Sequence, residues 1–343
     1  MSSALQPKFT HLHVHTHYSL LDGLSKIDEL LDYVKENGMD SVAITDHGNL
    51  YGTIEFYQKA KKRDIKPIIG CEVYVTRDMH EKSVNADERN YHHLILLAKN
   101  NIGYQNLIKL ITIAHLEGFY YKPRIDKILL KKYSEGLIAL SGCLGGEVSR
   151  ALLGNQPQKA KEIALEYAQI MGKDNYYIEL QQHLNTPEQN EITPKLVQLA
   201  KELNLPIVAT QDSHYTNKED AYAHDVLLAI QTGSTIHEEN RLTLKHDDFS
   251  ISSPQEMSEK FKKWPEAIQN TQKIAQKCNV ELTLGEFIFP KFKLESGKTA
   301  DQILNELTYE GLRERNLNND PKIEKRRCYE LDTIKKKKYA SYF

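Results

Sequence analysis

The chain has 343 residues, 40% hydrophobic and 27% charged, with a formal net charge of −2. That suits one large globular domain plus an appendage, and it leaves any nucleic-acid contact to local patches instead of an overall field. No run of about 18 apolar residues offers a membrane span, MSSALQPKFTH shows no secretory pattern, and Cys71, Cys143, Cys278 and Cys328 form no CxxC pair, so a reducing cytoplasm is the expected setting.

Strand and helix patterns alternate along the chain. FTHLHVH alternates apolar and polar residues and reads as a strand. Ser25 is expected to cap a helix over IDELLDYVKENG, whose Ile27, Leu30, Leu31 and Val34 share one face and which Gly38 ends. SVAIT reads as a buried strand, IEFYQKAKKR as a helix, KPIIGCEVYV and HLILLA as strands, and NIGYQNLIKLITIAHLEG as a helix. GLIALS follows as a strand, then helices to about residue 171, the strand YYIEL, a helix over TPKLVQLAKELN and the strand PIVAT. About seven core strands thus precede residue 215. The repetition predicts parallel strands with helices outside them. A barrel is favoured because no Gly-rich dinucleotide fingerprint follows the first strand. Beyond residue 215 the pattern turns helical, with helices over WPEAIQNTQKIAQKCN and TADQILNELTYEGLRERN joined by an extended connector, LGEFIFPKFKLESG, containing Pro290.

Metal-capable residues gather within or just after these strands. HLHVHTHYSLLDG holds His11, His13, His15, His17 and Asp22; Asp46 and His47, Glu72, His92 and His93, Cys143, and Asp212 and His214 follow. In a barrel of parallel strands the C-terminal strand ends form one face, where such residues converge. Strand residues i and i+2 point the same way, so His13 and His15 can grip one ion, as can Asp212 and His214. His11 and His17 share that parity, so spacing alone does not choose among the four. His92 and His93 point oppositely, so a regular strand offers one of them, and His93 opens its run instead of closing it. Glu72 lies in an apolar strand, where an unpaired charge costs several kcal/mol. Cys71 faces the other way and reads as core. Taken alone, Asp22 reads as a turn residue and Cys143 as a small buried hydrophobe. Imidazoles, carboxylates and one thiolate together suit zinc, manganese or iron. Ions about 3.5–4 Å apart hold a phosphate and activate water, so phosphoester hydrolysis is the natural chemistry. FYYKPR adds Tyr120, Tyr121, Lys122 and Arg124 as candidate stacking and phosphate contacts, and the KKKK run at 335–338 reads as a solvated helix face.

In this order, HLHVHTHYSLLDG, AITDHGNLYG, IKPIIGCEVYV, HLILLAKNNIGYQNLIKL, GFYYKPRID, LSGCLGGEV and ATQDSHY resemble the PHP (polymerase and histidinol phosphatase) superfamily. Within it the chain is most similar to the N-terminal part of bacterial replicative DNA polymerase alpha subunits, and IQTGSTI, YEGLRERN and YELDTIKKKKYASYF extend the likeness. The resemblance implies an α/β fold, a distorted (β/α)7 PHP barrel over residues 8–285, with a mostly helical extension over 286–343 leading toward a polymerase palm. It implies nine ligands, His13, His15, Asp22, His47, Glu72, His93, Cys143, Asp212 and His214, for three divalent ions, zinc or manganese before iron. One ion would take His13, His15, Glu72 and Asp212. Another would take Glu72, His93 and Cys143, and a third Asp22, His47 and His214. His15, Asp22, His47 and Asp212 would carry catalysis, and Tyr121, Lys122 and Arg124 would hold nucleic acid. The implied activity is metal-dependent 3′–5′ exonuclease proofreading on a DNA 3′ end or primer-template, beside the remaining polymerase domains and other replisome subunits. The chain is expected to break off where the palm begins and not to polymerise by itself. Two rival readings are a stand-alone phosphatase acting on a small phosphate monoester and a non-catalytic scaffold for polymerase assembly.

Overall fold

The computed structural model describes residues 7–82, 91–172, 174–286, 288, 293–294 and 297–343. The chain divides into two compact units, Met1–Glu281 and Leu282–Phe343.

The first unit is a mixed α/β fold built on one curled sheet. Its strands are β1 (Ser41–Ile44), β2 (Lys66–Thr76), β3 (His92–Ala98), β4 (Arg124–Asp126), β5 (Leu137–Leu140), β6 (Tyr176–Leu180) and β7 (Ile207–Ala209). They lie in the order β1-β2-β3-β5-β6-β7, with β4 paired to β2. β1 pairs with β2, β2 with β4, β5 with β6 and β6 with β7 in parallel. β3 runs antiparallel to both its neighbours, which corrects the all-parallel expectation. A parallel return needs a crossover, usually a helix, and the polar sequence RDMHEKSVNADERNY between the two strands shows no apolar stripe from which to build one.

Helices α1 (Ile27–Glu36), α2 (Thr53–Lys62), α3 (Asn101–Leu116), α4 (Lys127–Lys132), α5 (Glu147–Leu153), α6 (Pro157–Met171), α7 (Pro187–Leu203), α8 (Ala221–Thr232), α9 (Pro254–Lys260) and α10 (Pro265–Lys277) complete the unit. α1 buries the four residues its periodicity marks, and Gly38 follows it at φ 69°. Ser25 does not cap α1. It bridges to Thr16, its carbonyl accepts the His17 N–H, and α1 starts after Lys26 without a side-chain cap. α7 begins six residues earlier than periodicity suggests, because Pro187 opens it and Pro194 lies inside it. β4, three residues long, is missing from the sequence reading.

FTHLHVH lies in the strand position without forming a continuous ladder. The His11 and Val14 carbonyls accept the Ala43 and Thr45 N–H groups at 2.8 Å, while the His15 N–H donates to the Ser213 carbonyl at 2.8 Å. The segment therefore joins the β1 side to the stretch after β7. Side chains take the N–H groups a ladder would use: Val14 donates to Thr45 Oγ1 and Thr16 to Asp46 Oδ1. Under this seam Leu12, Ala43, Ile68, Ile95, Ile138, Leu140 and Val208 form the barrel interior, and Ile274 and Ala275 of α10 join them. Full burial of each Leu, Ile or Val among them is worth about 1.5–3 kcal/mol.

The second unit holds α11 (Ala300–Glu314) and α12 (Pro321–Lys336). Arg327 of α12 donates to Asn305 Oδ1 of α11 at 2.6 Å, and its guanidinium lies 5.7 Å from the Tyr309 ring centre. Neither helix buries a residue, and Lys335, Lys336, Lys337 and Lys338 are exposed where α12 ends. The connector around Pro290 lies largely outside the described residues. Among the described residues no helix is long and apolar enough to cross a membrane.

Candidate metal centre

Glu72 is the hub of a buried cluster. It sits within β2 at 1% exposure, and its two carboxylate oxygens meet four imidazoles. Oε2 lies 2.7 Å from His47 Nδ1 and 3.3 Å from His15 Nε2, while Oε1 lies 2.8 Å from His93 Nδ1 and 3.7 Å from His13 Nε2. The reversed β3 explains why His93 joins. The start of an antiparallel strand falls at the same end of the sheet as the finish of its parallel neighbours, so His93 pairs with Tyr74 just beyond Glu72. The GCLGG turn packs on this strand start. Gly142 adopts φ 82°, where a Cβ would stand 2.6 Å from the His93 carbonyl oxygen, and Cys143 Sγ comes 3.6 Å from His93 Nδ1.

Three donor groups result, each with its ligand atoms within 4.8 Å of one another: His15, Asp22, His47 and His214; His13, His15 and Asp212; and Glu72, His93 and Cys143. All nine residues of the implied set are thereby brought together. The loop after His15 delivers Asp22 by folding back on itself. At Gly23 a Cβ would lie 2.1 Å from the Thr16 carbonyl oxygen, so the turn admits only glycine. Asp22 Oδ2 then reaches His47 Nε2 at 2.7 Å and His214 Nε2 at 3.2 Å.

The donor arrangement fits cations. His13 Nδ1 donates to Glu179 Oε1 at 2.7 Å, and His15 Nδ1 donates to Ser19 Oγ at 3.0 Å, whose own proton goes to Asp46. Each histidine thus turns a lone pair into the cluster at Nε2. Those two nitrogens face each other at 3.1 Å and face Asp212 Oδ1 at 3.0 and 3.3 Å. Three lone-pair atoms at such range repel unless a positive charge, a proton or a metal ion, lies among them. His47 Nδ1, Glu72 Oε2 and Asp212 Oδ1 are all buried without a hydrogen-bond partner of proper geometry. Close contacts lacking that geometry mark a metal site better than an ion-pair network.

Protons and metal ions compete for these atoms. Burial lowers the His13 pKa, but Asp212 and Glu179 overcome it and raise the value well above the ordinary range. His47 is likewise raised, to about 10, against burial, by Glu72 and Asp22. His15 falls to about 3 through burial and the charges of His47 and His214. Asp22, Glu72 and Asp212 resist burial because the imidazoles hold their carboxyls well below the usual value. The Cys143 thiol is pushed far up by burial, then by Asp212 and Glu72, and a bound cation would reverse that.

Several candidates stand outside the cluster. His11 is buried, and its Nε2 donates to the Ser252 carbonyl at 2.7 Å. His17 is exposed, and His92 is half-buried beside Glu147 and Arg150. Cys71 is fully buried in the core. Asp46 accepts from Thr16 and Ser19 and so acts through Ser19 on His15. Tyr121 is 78% exposed with a left-handed φ of 58°. Lys122 Nζ lies 5.3 Å from the centre of the Tyr74 ring, which in turn stacks on His47 at 5.9 Å. Arg124 departs from its expected role. It is 5% exposed, and its guanidinium is satisfied by the Gly118, Met79 and Glu81 carbonyls, so it braces the loop from within. The motif reading misses Ser19, Glu179 and His224. Glu179, a carboxylate inside the apolar strand YYIEL, bears the same mark as Glu72.

The PHP domain family matches residues 11–183, just over half of the chain. The chain belongs to the PHP domain family. Asp212 and His214 lie beyond the matched stretch of this PHP domain. The DNA polymerase III subunit alpha of Borreliella burgdorferi is 44% identical over 344 residues, covering 99% of this chain and 30% of the relative. Those of Campylobacter jejuni and Thermus aquaticus are 46% and 44% identical, over 88% and 89% of this chain and 26% of each relative. The chain thus spans less than a third of the length of these relatives. Among solved structures, a putative metal-dependent phosphoesterase from Bifidobacterium adolescentis aligns with a TM-score of 0.39 and 14% identity, covering 74% of this chain and 97% of that one. A histidinol phosphate phosphatase from Lactococcus lactis, complexed with zinc, L-histidinol and phosphate, aligns at 0.30 with 13% identity, covering 70% and 99%.

Proposed function

We propose that this PHP domain is the metal-dependent 3′–5′ exonuclease of a replicative DNA polymerase alpha subunit. The observation that carries the reading is the convergence of nine metal-capable residues around Glu72, with histidine nitrogens and a carboxylate oxygen facing one another at 3.0–3.3 Å. His13, His15, Glu72 and Asp212 would hold one ion, Glu72, His93 and Cys143 a second, and Asp22, His47 and His214 a third, with zinc or manganese the best match to the donors. Such ions, when bound, supply Lewis acidity toward a phosphodiester and lower the pKa of water. The chain's own residues do the rest. Glu179 and Ser19 fix the tautomers of His13 and His15, so that both nitrogens aimed inward are acceptors. His15, Asp22, His47 and Asp212 surround the place where the scissile phosphate would lie. Tyr121, by its exposure, suits stacking on a terminal base, and Lys122 suits a phosphate contact. Similarity to DNA polymerase III alpha subunits supports DNA as substrate and the other polymerase domains and replisome subunits as partners. The four free cysteines accord with a cytoplasmic setting. Nucleotidyl transfer would belong to other parts of such a polymerase.

The test is direct. The purified chain, loaded with manganese or zinc, is offered a 3′-labelled single strand, a mismatched primer and p-nitrophenyl phosphate. Stepwise nucleotide release that disappears in Asp22→Asn is the expected result. Monoester turnover without strand degradation would turn the reading to a small-molecule phosphatase, and bound metal without turnover to a scaffold.

A further inference from the structure

Asp22 has a partner from far along the chain. Its backbone carbonyl accepts a hydrogen bond from His224 Nε2 at 2.8 Å, across 202 residues. A carbonyl can only accept, so the proton sits on Nε2. His224 is 1% exposed, within α8. Its neighbour Asp225 anchors that helix through Arg241 Nη1 at 2.7 Å and Thr243 Oγ1 at 2.5 Å. The donor is therefore held on a rigid element.

The acceptor is not. Asp22 follows Leu21, a non-glycine residue at φ 60°, in a loop whose Leu20 and Leu21 side chains are exposed. Around Leu21 the backbone bonds are local, the Asp22 and Gly23 N–H groups both donating to the Ser19 carbonyl at 2.9 and 2.8 Å, while the loop's ends are tied by Asn49 Nδ2 to the Tyr18 carbonyl at 2.9 Å and by the Leu24 N–H to the His214 carbonyl at 2.7 Å. Left-handed backbone at a side-chain-bearing residue persists only where surroundings enforce it. The His224 bond falls on the carbonyl of the next residue, in the peptide that joins Asp22 to Gly23.

We infer that His224 is a positioning residue, which pins the Asp22 peptide so that its carboxylate meets His47 and His214. The inference rests on the reading of these donors as metal ligands. Loss of the bond frees the loop and weakens one donor group, Asp22 with His47 and His214. The group formed by Glu72, His93 and Cys143 does not touch the loop and keeps its affinity. Outer hydrogen-bond partners of ligands typically carry about 10–100-fold in metal affinity.

The experiment uses the full chain as wild type, His224→Ala, His224→Gln, Asp22→Asn and the Asp22→Asn/His224→Ala double variant. Zinc and manganese are titrated calorimetrically into each. His224→Ala weakens one class of sites about 10–100-fold and leaves the others. His224→Gln, which keeps an N–H donor, recovers part of the loss, and His224→Ala has no further effect in the Asp22→Asn background. Hydrogen exchange on the metal-free chains is measured in parallel, where His224→Ala speeds residues 17–24 and leaves β2 and β3 unchanged. Equal weakening of every class of sites, or an undiminished effect without the Asp22 carboxylate, overturns the inference in favour of a general folding role. Wild type that takes up no metal sinks the nuclease reading instead, and loop exchange then decides the positioning role: unchanged exchange overturns it.

Discussion

Glu179 and Glu72 are both carboxylates inside apolar strands, yet they do different work. Glu72 faces four imidazoles, whereas Glu179 accepts from His13 Nδ1, Thr210 Oγ1 and Gln181 Nε2 through Oε1 and from the Gly142 N–H through Oε2. Its role is to keep the His13 proton on the outer nitrogen. Glu179→Ala should therefore lower metal affinity about 10–100-fold, measured by competition with a chromophoric chelator; unchanged affinity would refute it. Burial gives two histidines a pH response of their own. Burial lowers His11 and His224 from 6.5 to about 4, partly offset by hydrogen bonds to backbone carbonyls. Their folded values lie below the unfolded one, so the unfolded chain binds more protons between pH 6.5 and about 4. The contribution of these two histidines is then full above that window and is lost as pH drops through it, at about 1.4 kcal/mol per unit for each. Urea midpoints measured from pH 7.5 to 4.5 should show the slope, and His11→Asn should flatten it. At this scale much of the site was legible. Residue chemistry marked Glu72, Asp212 and His214, but parity left His11 and His17 equal to His13 and His15, because a two-residue period says nothing about which acceptor, such as the Ser252 carbonyl, lies opposite each ring.

Elements were legible where burial follows a period and illegible where tertiary hydrogen bonds override it. α1 buries its marked stripe, but FTHLHVH, whose alternation is sound, forms no continuous ladder because Thr45 and Asp46 side chains occupy its N–H groups. β3 was recognised as a strand and its direction was not, since apolar content carries no polarity. The reversal is what brings His93 to the cluster. Short elements depend on their ends. α9 has seven residues and a reciprocal cap, in which Ser253 Oγ accepts the Glu256 N–H and Glu256 Oε2 accepts the Ser253 N–H at 2.8 Å. Ser253→Ala should cost about 1 kcal/mol in chemical denaturation. A loss below a few tenths would mean that the Lys218 contact to Glu256, at 2.7 Å, holds the helix start by itself.

For the whole molecule, the alternation of strands and helices announced an α/β fold but not how the sheet meets its own edge. That edge is the stretch carrying His13 and His15 on one side and the stretch carrying Asp212 and His214 on the other, tied by the His15 N–H to the Ser213 carbonyl and the Ser213 N–H to the His13 carbonyl, at 2.8 and 3.2 Å. Under the proposed ligation, removing the metal with a chelator should reduce stability by at least about 2.7 kcal/mol per site held at a hundred times its dissociation constant. Calorimetric melting with and without chelator measures this, and identical transitions would count against resident ions. The location of the loss is equally specific. An ion gripped by His13, His15 and Asp212 would act as a rivet through two overlapping plates. Stripping it should let the backbone amides of residues 11–15 and 212–214 exchange first, while β2 and β5 stay shut. A barrel fastened this way would come apart along the line of its ligands, so that losing its ions and losing its shape begin as one event.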